Sequence, residues 1–345
     1  MLIEHSSYRA PLWLRSGHLN TIYPSLFRKL SLSIGERETI ETDDQDVLCL
    51  DWYRVNELSS KGRKLVIISH GLEGHSERPY VVGMCHQMNR LGFDALAWNF
   101  RSCGPMMNRQ KRFYHSGATE DLAKVIEHAE TQYDQIALVG FSMGGNLSLL
   151  HAGREAQTLN KKVKAVVGVS VPCDLEGCAH ELAKTQNKIY MTRFLKDLRA
   201  KMRVKQAQFP EIPVNDLERI RNFQQFDDMY TAPLHGFEDA KDYWSKSSCL
   251  GYLSRIEIPA LIINAKDDPF LSESAYPYDL VGSLENVHLE TPDHGGHVGF
   301  VSFNGDGSYW IEHRVSEFVR GLLDTDNVKE PLNKSTLALR ALEKL

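Results

Sequence analysis

The sequence predicts an α/β fold: a mostly parallel central sheet flanked by helices, with a helical cap inserted between two of the strands. Three observations predict it. First, short apolar runs rich in β-branched residues recur at 65–69, 94–99, 136–140 and 163–171, and a fifth follows at 260–264. Near-continuous apolar strands of this length suit a parallel sheet covered on both faces, because neither face meets water. Second, helical patterns lie between these runs, and strand alternating with helix builds βαβ units. Third, the strand rhythm stops over 174–258, where the chain turns helical, charged and aromatic. The expected organisation is therefore a first part of the core at 1–173, a cap at 174–258 and a second part of the core at 259–345.

Taken in order, residues 32–40 and 47–53 read as two antiparallel strands joined by the turn Asp43-Asp44-Gln45-Asp46, forming the starting edge of the sheet. In 119–132, Leu122, Ala123, Val125, Ile126 and Ala129 fall at helical spacing. Residues 146–152 read as a helix directly after the third apolar run. The tail, 327–345, reads as a polar loop followed by a short amphipathic helix.

Composition narrows the function classes. Of 345 residues, 42% are hydrophobic and 25% charged, the balance of a globular protein rather than a disordered or fibrous one. The net charge of -5 gives no general attraction to nucleic acid, so a nucleic-acid partner is not expected. The six cysteines lack the paired spacing of a zinc site and the density of a disulfide scaffold, which predicts free thiols in a reducing compartment. Charges at Glu4, Arg9, Arg15 and Arg28 interrupt the first thirty residues, unlike a signal peptide. No apolar run reaches the roughly eighteen residues of a membrane span. These features predict a cytoplasmic protein.

The chemistry is carried by four motifs. Gly140-Phe141-Ser142-Met143-Gly144 stands between a strand and a helix. Small residues two before and two after the serine permit a tight strand-to-helix turn that projects the hydroxyl from the sheet, which marks Ser142 as a nucleophile. The helix N-terminus behind it favours developing negative charge. His70-Gly71-Leu72-Glu73-Gly74 follows the first apolar run, where a glycine-rich loop supplies one backbone amide of an oxyanion hole. The residue after the nucleophile supplies the other, so Leu72 and Met143 are the expected donors, with His70 bracing the loop.

Ala265-Lys266-Asp267-Asp268-Pro269-Phe270 follows the fifth run and offers two acids. The turn places the acid fourth after the strand, which favours Asp268 and leaves Asp267 as the alternative. Asp293-His294-Gly295-Gly296-His297 comes next, and its Gly-Gly pair favours His297 over His294 as general base. The chain order serine, aspartate, histidine is that of hydrolases with such an elbow. A serine hydroxyl is a poor nucleophile until a hydrogen-bonded imidazole takes its proton, and the carboxylate fixes the imidazole tautomer. The HxxH spacing of His294 and His297 has no third ligand nearby, so no metal is expected, and no cofactor is implied.

These residues and their surroundings resemble the YheT-like branch of the α/β-hydrolase superfamily. The resemblance runs through 13–24 (Trp-Leu-Arg-Ser-Gly-His-Leu-Asn-Thr-Ile-Tyr-Pro), 70–74, Asn99-Phe100-Arg101, Tyr114-His115-Ser116-Gly117, the elbow, 267–270 and 295–300. It implies a carboxylic ester hydrolase acting on short-chain esters or acylglycerols, small-molecule substrates, with Ser142, Asp268 and His297 as its triad. The sequence departs from the family's Asn-Phe-Arg-Gly-Cys-Ser-Gly in reading Asn-Phe-Arg-Ser-Cys-Gly-Pro at 99–105. It also carries His75 where a serine follows the oxyanion glycine.

In the cap, Met191, Phe194, Leu195, Leu198 and Met202 share one helical stripe. Lys188, Arg193, Lys196, Arg199, Lys201, Arg203 and Lys205 lie opposite, with Asp197 the one acid among them. The favoured reading packs the stripe over the site and turns the charges to water. The alternative is weak peripheral contact of this basic helix with anionic lipid. Serine at position 142 excludes the aspartate chemistry of dehalogenases and the thiol chemistry of dienelactone hydrolases. It leaves thioesters and peptides open as acyl donors, and a non-catalytic binding module as the competing class.

Overall fold

The apolar runs become strands of one sheet because their side chains are buried on both faces. The computed structural model describes residues 1–30, 34–55 and 62–324. Among these the strands are β1 (Leu2–Ile3), β2 (Glu36–Glu41), β3 (Val47–Tyr53), β4 (Lys64–Ser69), β5 (Asp94–Asn99), β6 (Gln135–Phe141), β7 (Val163–Val169), β8 (Ala260–Ile263) and β9 (Val287–Glu290). They lie in the order β1-β9-β8-β7-β6-β4-β5-β3-β2. Every pairing from β1 to β5 is parallel, whereas β3 runs antiparallel to β5 and β2 to β3. The expected hairpin therefore does form one edge. β2 is largely exposed and reads Glu-Arg-Glu-Thr-Ile-Glu, a charged edge that resists pairing with another chain.

Alternation along the strands makes two cores. On one face Val66, Ile68, Ala95, Ala97 and Val139 pack with helices α2 (Pro79–Arg90) and α11 (Trp310–Leu323). On the other, Leu65, Ile67, Leu96, Trp98 and Leu138 pack with α3 (Thr119–Glu130) and α4 (Met143–Arg154). Helix α1 (Gly17–Phe27) lies between β1 and β2 in the chain, and α10 (Tyr278–Gly282) precedes β9.

Between β7 and β8 the chain is helical: α5 (Leu175–Leu182), α6 (Lys188–Gln208), α7 (Phe223–Phe226), α8 (Ala232–His235) and α9 (Ala240–Ser247). Asp174 starts this stretch by accepting a hydrogen bond from the Gly177 amide, an N-cap that satisfies an otherwise free donor. Tyr190, Met191, Leu195, Phe223, Phe226 and Trp244 join the same core as α3 and α4, so these helices share the hydrophobic interior of the second face.

The structure differs from the sequence reading in four places. β7 ends at Val169 rather than 171, because Ser170 takes a positive φ of 52° and turns the chain. β1 and β9 were not expected: two residues and the short Val-His-Leu-Glu carry almost no periodic signal. Of 32–40, residues 32 and 33 lie outside the described residues and the strand begins at Glu36; the predicted tail at 327–345 also lies outside them.

The fourth difference concerns the basic face of α6. Lys201 and Lys205 point inward, because each finds polar partners in the core: Lys201 pairs with Glu73, and Lys205 donates to the backbone carbonyls of Asn108 and Gln110. Arg199 donates to the carbonyls of Leu217 and Ile220, and Arg203 pairs with Glu218. No helix among the described residues is long and apolar enough to cross a membrane.

Candidate active site

The register sets the carboxyl ends of the central strands level, Ser69 beside Gly140 and Gly140 beside Gly168, and the loops that leave them converge. Ser142 sits between β6 and α4 with φ 52° and ψ -120°, outside the regions an L-residue readily occupies. Its amide donates to Val169 O (2.8 Å), and its carbonyl accepts from the amides of Gly145 (2.9 Å) and Asn146 (3.0 Å). The turn closes only on glycine, since a Cβ at Gly144 would lie 2.4 Å from the carbonyl oxygens of both Ser69 and His70.

His297 bridges two groups. Its Nε2 lies 2.9 Å from Ser142 Oγ, and its Nδ1 lies 2.8 Å from Asp268 Oδ2 and 3.1 Å from Oδ1. A carboxylate only accepts, so Nδ1 carries the proton and Nε2 is left to accept from the serine hydroxyl. The Asp268 side chain is fully buried, and its Oδ1 also accepts the Phe270 amide (2.9 Å). The imidazole stacks on the Phe270 ring at 4.1 Å between centroids. The structure thus brings Ser142, His297 and Asp268 into one hydrogen-bonded series. It does not bring Asp267 or His294 there: Asp267 accepts the Gly296 amide (2.8 Å) and faces His294 at 3.5 Å, a pair that braces the histidine loop. Burial pushes the Asp267 carboxyl above its ordinary range.

The histidine loop is held from a distance in sequence. Thr21 Oγ1 accepts the His297 amide (2.8 Å) while donating to Gly17 O (2.6 Å). Gly17 packs against Asp267, and a Cβ there would lie 1.8 Å from the Asp267 carbonyl oxygen. Asn20, fully buried, accepts the Val301 amide and donates to Tyr8 Oη and Leu14 O. Ser170 Oγ accepts the Val298 amide (2.9 Å), holding Val298 at φ 58°, where a β-branched residue is a genuine outlier. The motif at 13–24 carried this support in the sequence without revealing its mechanism. Ser170 gave no signal of this role, and Phe270 stood in the motif at 265–270 without revealing that its ring stacks on the imidazole.

The turn at 71–74 abuts the serine: a Cβ at Gly71 would lie 3.2 Å from Ser142 Cβ. Neither the Leu72 nor the Met143 amide has a hydrogen-bond acceptor among the described residues, so both are free to receive a negative oxygen. His70 braces this turn as expected. Its Nδ1–H donates to Gly71 O (2.8 Å) and its Nε2 accepts the Phe100 amide (3.2 Å). Complete burial lowers its pKa to about 3, which keeps the ring neutral.

Over the serine lies an open-mouthed cavity of about 110 Å³. Leu175, Leu182, Phe194, Leu198, Phe223 and Phe226 from the inserted helices give it an apolar wall. His115, Ser116 and Asp227 add polar groups. His115 Nδ1 accepts the Gly117 amide (3.1 Å), which leaves Nε2–H as a donor; desolvation holds this ring neutral as well. Asp227 opens the π-helical turn Asp227–Thr231 and accepts from Thr231 Oγ1 (2.6 Å) and Trp244 Nε1 (2.8 Å). Burial raises its pKa to about 7 against those two hydrogen bonds. Among the described residues no group of three or more His, Cys, Asp or Glu is placed to hold a metal, and the six cysteines are free and buried.

A mostly parallel sheet with two helical layers and a serine on a strained strand-to-helix turn defines a class. The chain belongs to the α/β hydrolase fold family, whose model matches residues 64–303. Within it the likeness is to the YheT-like group. The chain is 33% identical to YheT of Escherichia coli (strain K12) over 89% of its own length and 91% of that protein's. It is 28% identical to monoacylglycerol lipase ABHD2 of Homo sapiens, covering 93% of this chain and 81% of that one. It is 26% identical to phospholipase ABHD3 of Bos taurus, covering 92% and 79%. Among solved structures, the esterase Pf2001 of Pyrococcus furiosus superposes with a TM-score of 0.57 at 17% identity, covering 84% of this chain and 90% of that one, a likeness of fold.

Proposed function

We propose that this protein is a carboxylic ester hydrolase that works through an acyl-enzyme on Ser142, with His297 as general base and Asp268 as its orienting acid. The observation that carries the reading is the bridge made by one imidazole, 2.9 Å from Ser142 Oγ and 2.8 Å from Asp268 Oδ2. The relatives named as a monoacylglycerol lipase and a phospholipase support the choice of ester as the bond cleaved.

In this reading Ser142 Oγ attacks the ester carbonyl carbon as its proton passes to His297 Nε2. The carbonyl oxygen becomes an oxyanion and accepts from the amides of Leu72 and Met143, at the positive end of α4. The tetrahedral intermediate collapses, the C–O bond to the alcohol breaks, and the imidazolium returns its proton to the departing oxygen. Water then repeats the sequence on the acyl-serine and releases the acid. Asp268 stays ionised throughout and stabilises the imidazolium. The apolar wall of the cavity suits an alkyl or acyl chain, so the substrate is a small-molecule ester of short-chain or acylglycerol type.

The test is labelling by a fluorophosphonate together with hydrolysis of p-nitrophenyl esters of graded acyl length. Wild-type protein is expected to label and to turn over, and Ser142→Ala to do neither. An unlabelled, inert wild type would refute the reading.

A further inference from the structure

The oxyanion turn carries a strained acidic residue. In the turn 71–74, closed by the Gly74 amide on Gly71 O (2.9 Å), the third position is Glu73 at φ +52°, a place that favours glycine. Something must hold it there, and the contacts show what. Glu73 Oε1 accepts from Lys201 Nζ (2.7 Å) and from Tyr114 Oη (2.5 Å), and its carbonyl accepts from Arg78 Nη2 (3.0 Å). The side chains of Lys201 and Glu73 are 7% and 10% exposed, so water screens the pair little. The ammonium also lies 4.4 Å from the centre of the Tyr114 ring and 3.4 Å from Cys103 Sγ.

Lys201 belongs to α6, in the inserted helices, whereas Glu73, Tyr114 and Cys103 belong to the core loops. We propose that Lys201 and Glu73 are positioning residues that latch the cap onto the oxyanion turn, so that the Leu72 amide is held at the reacting carbonyl only while α6 is seated. The latch deepens the hydrolase reading and rests on it. It makes the cap a condition of transition-state stabilisation as well as a wall of the substrate cavity. It also gives Lys201 of α6 a reason to turn inward.

The pair is tested with Glu73→Gln, which keeps the side-chain shape, Lys201→Met, and the double variant. For each, kcat and KM on p-nitrophenyl butanoate and the rate of fluorophosphonate inactivation are measured. Displacing one oxyanion donor, short of removing it, predicts a fall in kcat and in inactivation rate of about tenfold to a hundredfold. KM should stay within about threefold, as for an interaction made in the transition state. The double variant should be no worse than the poorer single one, because both remove the same ion pair. A purely structural role would instead lower the melting temperature while leaving kcat per folded molecule intact. If Lys201→Met does not fold, Glu73→Gln decides alone. Wild-type kcat in Glu73→Gln, or additive losses, would overturn the latch while leaving Ser142 chemistry standing; an inert wild type would overturn both.

Discussion

Replacing Thr21 by valine tests whether the segment between β1 and β2 serves the chemistry. Valine matches threonine in shape but removes the hydroxyl that accepts the His297 amide at 2.8 Å and donates to Gly17 O at 2.6 Å. Leaving a shielded N–H without an acceptor costs about 1–3 kcal/mol. The loop can escape that cost by rotating the His297 peptide, which would move Nε2 away from Ser142 Oγ. If the whole cost falls on the transition state, at about 1.4 kcal/mol per tenfold the rate drops by roughly fivefold to 150-fold. The assay is kcat and KM on a p-nitrophenyl ester beside a thermal melt, with Thr21→Ser as the partner variant that retains the hydroxyl. Thr21→Val is expected to lose kcat with little change in KM, and Thr21→Ser to stay near wild type. Full activity in Thr21→Val, or equal loss in both, would refute the reasoning.

Three aspartates give further outcomes. In Asp268→Asn the amide oxygen keeps the Phe270 amide now held by Oδ1, so the NH2 faces His297 Nδ1 and forces the wrong tautomer; kcat should fall by about 10³–10⁴. Asp267→Asn, whose contacts are to Gly296 and His294, should stay within about tenfold of wild type, and near-equal losses would reverse the assignment. Asp227 has a folded-state pKa near 7 against an ordinary 3.8, so stability from this group is present at low pH and lost as the pH rises from about 4 to about 7. Asparagine can keep both contacts if the Thr231 hydroxyl reverses. Chemical denaturation should therefore show Asp227→Asn gaining on wild type by about 3 kcal/mol, to order of magnitude, between pH 5 and pH 8; a constant gap between the two would refute it.

The parallel strands were readable because burial on both faces leaves long apolar runs, as in Leu65 to Ile68. The serine turn was readable because glycines at 140 and 144 answer a steric need that no other residue meets. Choosing Asp268 over Asp267 was harder, since adjacent carboxylates differ only in which way the turn aims them, and the positional rule still favoured the residue that touches His297. What escaped notice depends on contacts between distant segments. The inward turn of Lys201 and Lys205 is decided by Glu73 and by two carbonyls near residue 110, not by anything on α6. Arg101 likewise read only as part of the Asn99-Phe100-Arg101 motif. It is a buried structural tie, bidentate to Asp121 and paired with Asp44 and Asp46 of the first hairpin turn.

Of the seven non-glycine residues with positive φ among the described residues, four, Glu73, Ser142, Ser170 and Val298, come from four different loops at or beside the site. Each such conformation costs of the order of 1–3 kcal/mol, so none would persist in an isolated loop. Three are fixed by bonds within the site: the Ser142 amide to Val169 O, the Ser170 hydroxyl to the Val298 amide, and Glu73 to Lys201. Two of these bonds run to the end of β7 and the turn after it and the third to α6, segments anchored in turn by the two sheet cores. The strain is therefore shared by the whole scaffold, and a propensity reading, which weighs a residue against its sequence neighbours, would place valine or serine elsewhere. Local conflict with propensity, repeated at converging loops, is itself a pointer to where a fold does its chemistry.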